Sequence, residues 1–175
     1  MTKLITASEI RARKGLSNNL NVDKELNPHI DEAQDFDLKP WIGVSFYLDL
    51  IDKFESSSTD ADFLDLMNGG VYTYDGDNYE NPGIKNVLIY LSYARYSALS
   101  NAQNTPTGFV QKTNQYSEPI SNAQLTRIIK QNQSGANTLQ QRVEDFLNRN
   151  ESKYPLWKNC NKGNRKKSVR IKKIG

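Results

Sequence analysis

Apolar residues recur at helical spacing along most of this chain, in blocks set apart by turn-forming residues. Thr6-Ala7-Ser8-Glu9 is a capping box, with Glu9 three residues after a hydroxyl that can accept its backbone N–H. It opens a short helix that Gly15 closes. Ser17 to Lys24 is polar and Asn-rich and reads as a linker. Asn27-Pro28 starts a second helix, since proline at the first helical position loses no hydrogen bond. Ile30, Ala33 and then Asp37 or Leu38 share its stripe, and it ends near Phe36. Pro40 restarts the pattern. From Pro40 to Phe54, Trp41, Val44, Leu48 and Ile51 recur at helical spacing, widened by Phe46, Tyr47 and Leu50, which predicts one broad core face. Ser56 to Thr59 breaks the chain. Thr59 or Asp60 then caps a short helix carrying Phe63, Leu64 and Met67, ended by Asn68-Gly69-Gly70.

Val71 to Tyr74, Asp75-Gly76 and Asp77 to Glu80 predict a small hairpin, because Asp-Gly suits a turn whose central residues both need positive φ. Pro82-Gly83 leads into a helix from Ile84 to about Ala102. Ile84, Val87, Leu88, Leu91 and Ala94 form one face of it, and Ile89, Tyr90, Tyr93 and Tyr96 a second. A helix apolar on two sides is sandwiched between neighbours, which makes this the central one. Thr105 to Pro119 alternates like a hairpin insert. Ser121 to Gln124 is a second capping box and starts the longest helix, running to about Asn150, roughly 45 Å at 1.5 Å per residue. Its stripe is Leu125, Ile128, Ile129, Ala136, Leu139, Val143, Phe146 and Leu147, with an expected bend or weak point near Gly135. Tyr154-Pro155-Leu156-Trp157 anchors the end. The pattern as a whole predicts a mainly α protein: a helical bundle with a long C-terminal helix, one or two small β-hairpin inserts and extended terminal arms. It divides into an N-terminal arm (1–25), a helical domain (26–157) and a basic tail (158–175).

Charge sharpens that division. The net charge of +3 conceals eight basic and no acidic residues between Lys158 and Lys173, leaving fifteen basic against twenty acidic residues elsewhere. The body is therefore acidic and the tail basic. Mean hydropathy is −0.72, low for a globule that finishes its own core. No stretch approaches the ~20 apolar residues of a membrane span, and the apolar run after Met1 is too short for a secretory signal. The expectation is a protein of a cytoplasm or of a particle assembled there.

Candidate chemistry is sparse. One cysteine, Cys160, and one histidine, His29, leave no internal disulfide, no multi-cysteine zinc site and no His-rich metal set. Gly69-Gly70 lacks the Lys-Ser/Thr of a phosphate loop, and Asp75 to Glu80 is too short for an EF-hand loop. Asp35/Asp37 and Asp60/Asp62 lie at helix starts or on polar faces, where carboxylates favour the helix dipole. His29, in a helix's first turn, reads as a surface or capping residue. Arg95, among Tyr90, Leu91, Tyr93 and Tyr96, reads either as a snorkelling or locally paired arginine or as half of an inter-subunit salt bridge. No catalytic, cofactor or metal residues are expected.

Several segments together resemble a known family. Leu38-Lys39-Pro40-Trp41-Ile42-Gly43 followed by Tyr47 and Leu50, Gly83-Ile84-Lys85 followed by Tyr90 and Tyr93-Ala94-Arg95-Tyr96, Thr107 to Lys112, Ser117 to Ser121, and Tyr154-Pro155 are similar in kind and order to tailed-bacteriophage head–tail connector proteins, of the type found in crAss-like phages. The resemblance covers roughly residues 26 to 157. It implies a virion neck-ring subunit, in a ring of about twelve copies, docked below the portal protein. Such a ring extends the channel for packaged DNA and meets other neck or tail proteins. No cofactor, membrane or enzymatic activity is implied.

On this reading the ring or portal contacts are expected at Tyr72, Tyr74, Arg95, Phe109, Val110, Lys112 and Tyr116. DNA or partner contacts are expected at Lys162, Arg165, Lys166, Lys167, Arg170, Lys172 and Lys173, with both terminal arms lacing to adjacent proteins. The alternative is a nucleic-acid-binding accessory protein acting through the basic tail, since clustered cations release counterions on meeting phosphates.

Overall fold

The computed structural model describes residues 2–17, 21–99, 102–105, 108–111 and 120–157, with 22–23, 102–105 and 108–111 given by their backbone alone. The architecture is mainly helical, with two two-stranded hairpins. In order come α1 (Ala7–Lys14), α2 (Val22–Glu25), α3 (Asn27–Ala33), a π turn (Gln34–Leu38), α4 (Lys39–Ile42), α5 (Val44–Glu55), α6 (Ala61–Asn68), β1 (Gly70–Tyr74), β2 (Asp77–Asn81), α7 (Ile84–Leu99), β3 (Ala102–Thr105), β4 (Gly108–Gln111) and α8 (Asn122–Arg149). Among the described residues, no helix is long and apolar enough to cross a membrane.

Helix α7 is central, as its two apolar faces predict: α8, α3, α1 and α6 all pack on it. Ile84, Val87, Leu88, Leu91 and Ala94 are buried on one side, and Tyr90, Tyr93 and Tyr96 pack more shallowly on the other. It ends at Leu99, earlier than Ala102, which already belongs to β3. Both capping boxes form. Thr6 Oγ1 accepts from Glu9 N–H at 3.2 Å while Glu9 accepts from Thr6 N–H at 2.6 Å. Ser121 and Gln124 repeat the exchange at 3.3 and 3.1 Å.

The N-terminal segment is not an arm. Leu4, Ile5, Ala7 and Ile10 are core residues, and Gln34 ties them in. Its buried amide accepts from Leu4 N–H at 2.7 Å and donates to Thr2 O at 2.9 Å and Tyr47 Oη at 3.2 Å. Alternating small and polar residues concealed this attachment, because its partner amide lies some thirty residues away.

Nor does a helix begin at Pro40. The backbone stays helical from Asn27 to Ile42, widening into the π turn just before the proline, where Lys39 N–H reaches Gln34 O. A proline lacks its own N–H and crowds the carbonyl four residues back, and a π turn is where such a ladder yields. The break comes at Gly43, with φ of 84°. It resets the helical phase, so α5 buries Phe46, Tyr47 and Leu50 and half-buries Ile51 and Phe54. Val44 and Leu48, expected in the core, are 56% and 51% exposed. In α6, capped by Asp60, Phe63, Leu66 and Met67 are buried and Leu64 lies outside.

Helix α8 runs unbroken through Gly135, where the sequence suggests a weak point. A Cβ there would lie 2.8 Å from the Tyr90 ring, so this glycine permits close packing of α8 on α7. Tyr154 and Trp157 are buried beyond its end, as their anchoring role predicts.

Candidate functional site

Two surfaces on α8, one near each end, gather the chain's unusual side chains. At the C-terminal end sits the β1–β2 hairpin. Its two-residue turn is Asp75-Gly76, both at positive φ (51° and 85°), and Tyr72 faces Tyr79 across the ladder. The two rings stack 5.7 Å apart, and Tyr72 meets Phe146 edge-on at 4.9 Å. Arg149 Nη1 donates to Tyr72 Oη at 3.0 Å, and its guanidinium lies 3.7 Å from the centre of Tyr79 and 5.4 Å from that of Tyr74. Arg142 completes the clamp with a 2.6 Å ion pair to Glu80. At the hairpin root, buried Asn81 donates to Asp65 O at 2.7 Å and accepts from Gly83 N–H at 3.1 Å.

Stacked rings and an arginine over their faces each add modest energy beyond area, so the hairpin is held as a rigid projection. Among the described residues, no ion pair uses Asp75 or Asp77. Val71 is 75% and Tyr74 45% exposed, and Asp75 and Asp77 face solvent. The cleft beneath, among Asp65, Gly70, Val71, Tyr72, Asn81 and Phe146, measures about 20 Å³, room for one water and no substrate.

At the other end, α1, α7 and the N-terminal half of α8 meet around Lys14. Its Nζ donates to Asn132 Oδ1 at 2.8 Å and lies 3.1 Å from the centre of Tyr90. Burial first, then the neighbouring Arg13 charge, pushes its ammonium down to about 8, while the ring face opposes the shift by favouring the cation. On the face of α8 opposite Asn132 is an open concavity of about 540 Å³ lined by Ala123, Thr126, Arg127, Lys130, Gln131 and Ser134. From Asn122 to Val143 this helix contains no acidic residue.

The expected contact residues are thereby sorted. Tyr72 and Tyr74 belong to the projecting hairpin, Tyr72 spent largely on holding it. Arg95 is paired inside the chain: Nε and Nη2 grip both Asp37 oxygens at 2.7 and 2.9 Å, with Glu32 at 3.8 Å from Nη1. The side-chain hydrogen bond to Asp37 raises its pKa against the cost of burial. Phe109 and Val110 lie in β4, which pairs with β3, but their side chains fall outside the described residues, as do Lys112, Tyr116, Cys160 and the tail cations Lys162, Arg165, Lys166, Lys167, Arg170, Lys172 and Lys173.

His29 is not a surface residue. It is buried, with Nδ1 at 3.1 Å from Glu32 and its ring edge-on to Tyr96. The acidic pairs have structural partners: Asp35 with Lys39, Asp37 with Arg95, Asp62 with Lys153, and Asp60 capping α6. Among the described residues, no group of three or more His, Cys, Asp or Glu side chains could hold a metal ion. Arg149, Arg142, Tyr79 and Lys14 build these two surfaces, and sequence reasoning missed them. The seven-residue spacing of Arg142 and Arg149 places them on one helix face, the only signal available, and it does not say that a hairpin folds onto that face.

Residues 38–167 match the model of a family of unknown function, DUF6712. The chain belongs to that family. No curated protein and no solved structure matches it. The DUF6712 segment begins at the end of the π turn and contains both partners of the Arg142 and Arg149 contacts, whereas Lys14, His29 and Asp37 precede it.

Proposed function

We propose that this chain is a structural subunit of a tailed-phage neck, a head–tail connector that docks below the portal, lines the DNA channel and joins head to tail. The observation that carries the reading is the β1–β2 hairpin. Arg149, Arg142 and Phe146 fix its inner face, while Val71 on the outer face and Tyr74, Asp75 and Asp77 around the turn stay exposed to solvent. Rigid, exposed apolar residues beside unpaired carboxylates are what a docking projection presents. The resemblance of Leu38 to Gly43, Tyr93 to Tyr96 and Tyr154-Pro155 to connector proteins points the same way. The acidic body suits a channel wall, because it repels the duplex and lets it slide.

Native mass spectrometry of the purified chain, alone and with a tailed-phage portal assembly, tests this. A closed ring of many copies on the portal is expected. A compact chain that stays solitary and ignores the portal overturns it. The eight basic residues from Lys158 to Lys173 favour a second reading, a nucleic-acid-binding accessory protein. That reading requires duplex affinity that falls steeply with salt and vanishes when residues 158–175 are removed.

A further inference from the structure

We infer that copies of this chain associate head to tail, with the β1–β2 hairpin of one copy seated in the open α8 concavity of the next. The inference rests on the ring-subunit reading in requiring copies to meet, and adds which surfaces meet. The two surfaces are opposite in charge. The hairpin from Gly70 to Asn81 carries Asp75, Asp77 and Glu80 and no cation. The concavity carries Arg127 and Lys130 and no carboxylate. No ion pair among the described residues uses Asp75, Asp77, Arg127 or Lys130, so both poles keep their charge for a partner.

Dimensions fit as well. Arg127 and Lys130 are three residues apart on α8, about 4.5 Å along its axis, and Asp75 and Asp77 flank Gly76 at the hairpin turn, so each surface carries two closely spaced charges. A copy cannot satisfy itself. Its hairpin is clamped at Arg142 and Arg149, and Lys130 lies about 28 Å from Arg149 along α8. Complementary patches at different places on one subunit make a heterologous contact, the kind that closes into a ring. Nucleic acid would answer the basic pole alone and leave the acidic hairpin unexplained.

The test uses the full chain in two charge-reversed forms, D75K/D77K and R127D/K130D, weighed by mass photometry alone and mixed, with and without portal assembly. All four sites are exposed, and matching circular dichroism would show that folding survives. Each form alone sets like charge against like, and should assemble roughly a hundredfold more weakly than the wild type. An equimolar mixture restores both kinds of contact and should recover assembly with strict alternation. If either form alone assembles as the wild type does, the interface is wrong while the ring reading stands. If the wild type stays solitary even with the portal, both fall. Salt-sensitive binding of a short DNA duplex by the solitary wild type, lost in R127D/K130D, would assign the concavity to nucleic acid and overturn the pairing.

Discussion

The two halves of α8 have similar sequence periodicity and different fates. In the C-terminal half, Val143, Phe146 and Leu147 are buried, with Tyr72 and Tyr154 packed on Phe146 and Trp157 Nε1 bonded to Asn148 at 2.9 Å. In the N-terminal half, Leu125, Ile128 and Ile129 are only half-buried, and the opposite face carries the basic concavity. The difference lies in what returns to cover each half. The β1–β2 hairpin and the Tyr154–Trp157 turn fold back onto one end. Among the described residues, the other is met by α7 and by the turn around Lys14. An apolar stripe specifies that a helix can be buried; the rest of the chain decides how much of it is.

Breaking that contrast at its strongest point should cost most. Phe146→Ala removes the ring shared by Tyr72 and Tyr154 and should destabilise the chain by about 3–5 kcal/mol in urea unfolding. Alkali attacks the same end. Tyr154, buried and donating to Asp62 O at 2.8 Å, has its phenol pushed up by burial and then by nearby aspartates; Tyr47 and Tyr96 are raised too, burial again first. The native state thus holds these protons after the unfolded chain, at a pKa near 10, has released them. Stability is complete below about pH 10 and falls as pH rises beyond it. Absorbance at 295 nm should show these phenols ionising only as helicity is lost; normal titration of all nine tyrosines in the folded state would contradict the burial.

At the junction of the halves, the sign of Gly135→Ala is diagnostic. At an open helix position alanine would gain about 1 kcal/mol. Here its Cβ would meet the Tyr90 ring, and a loss of about 1–2 kcal/mol is expected, relieved when Tyr90 is also cut to Ala. Smallest of all, Ile128→Ser should cost the lone chain under about 1 kcal/mol, because its side is already half open. An Ile128→Ser loss as large as that at Phe146 would erase the distinction between the halves.

Local rules account for much of what could be read beforehand. Both capping boxes, the Asp-Gly turn and the sandwiched α7 follow from spacing within a few residues. The candidate surfaces were half legible. Tyr72 and Tyr74 stand out as aromatics in a hairpin, whereas Arg149 and Lys14 look like ordinary helix-end cations. Arg95 carries a signal in its aromatic setting, but its partner Asp37 sits 58 residues away, and nothing local shows that they meet.

Sequence alone determined which segments become helices, where they are capped and that the body is acidic while the tail is basic, because each depends on neighbours along the chain. Tertiary structure decided that Leu4 and Ile5 join the core, that Val44 and Leu48 do not, and that opposite charges gather at the two ends of α8. Those outcomes turn on the phase reset at Gly43, the Gln34 amide and the fold-back of the hairpin. Each links residues far apart in the chain, and periodicity does not measure distances in space.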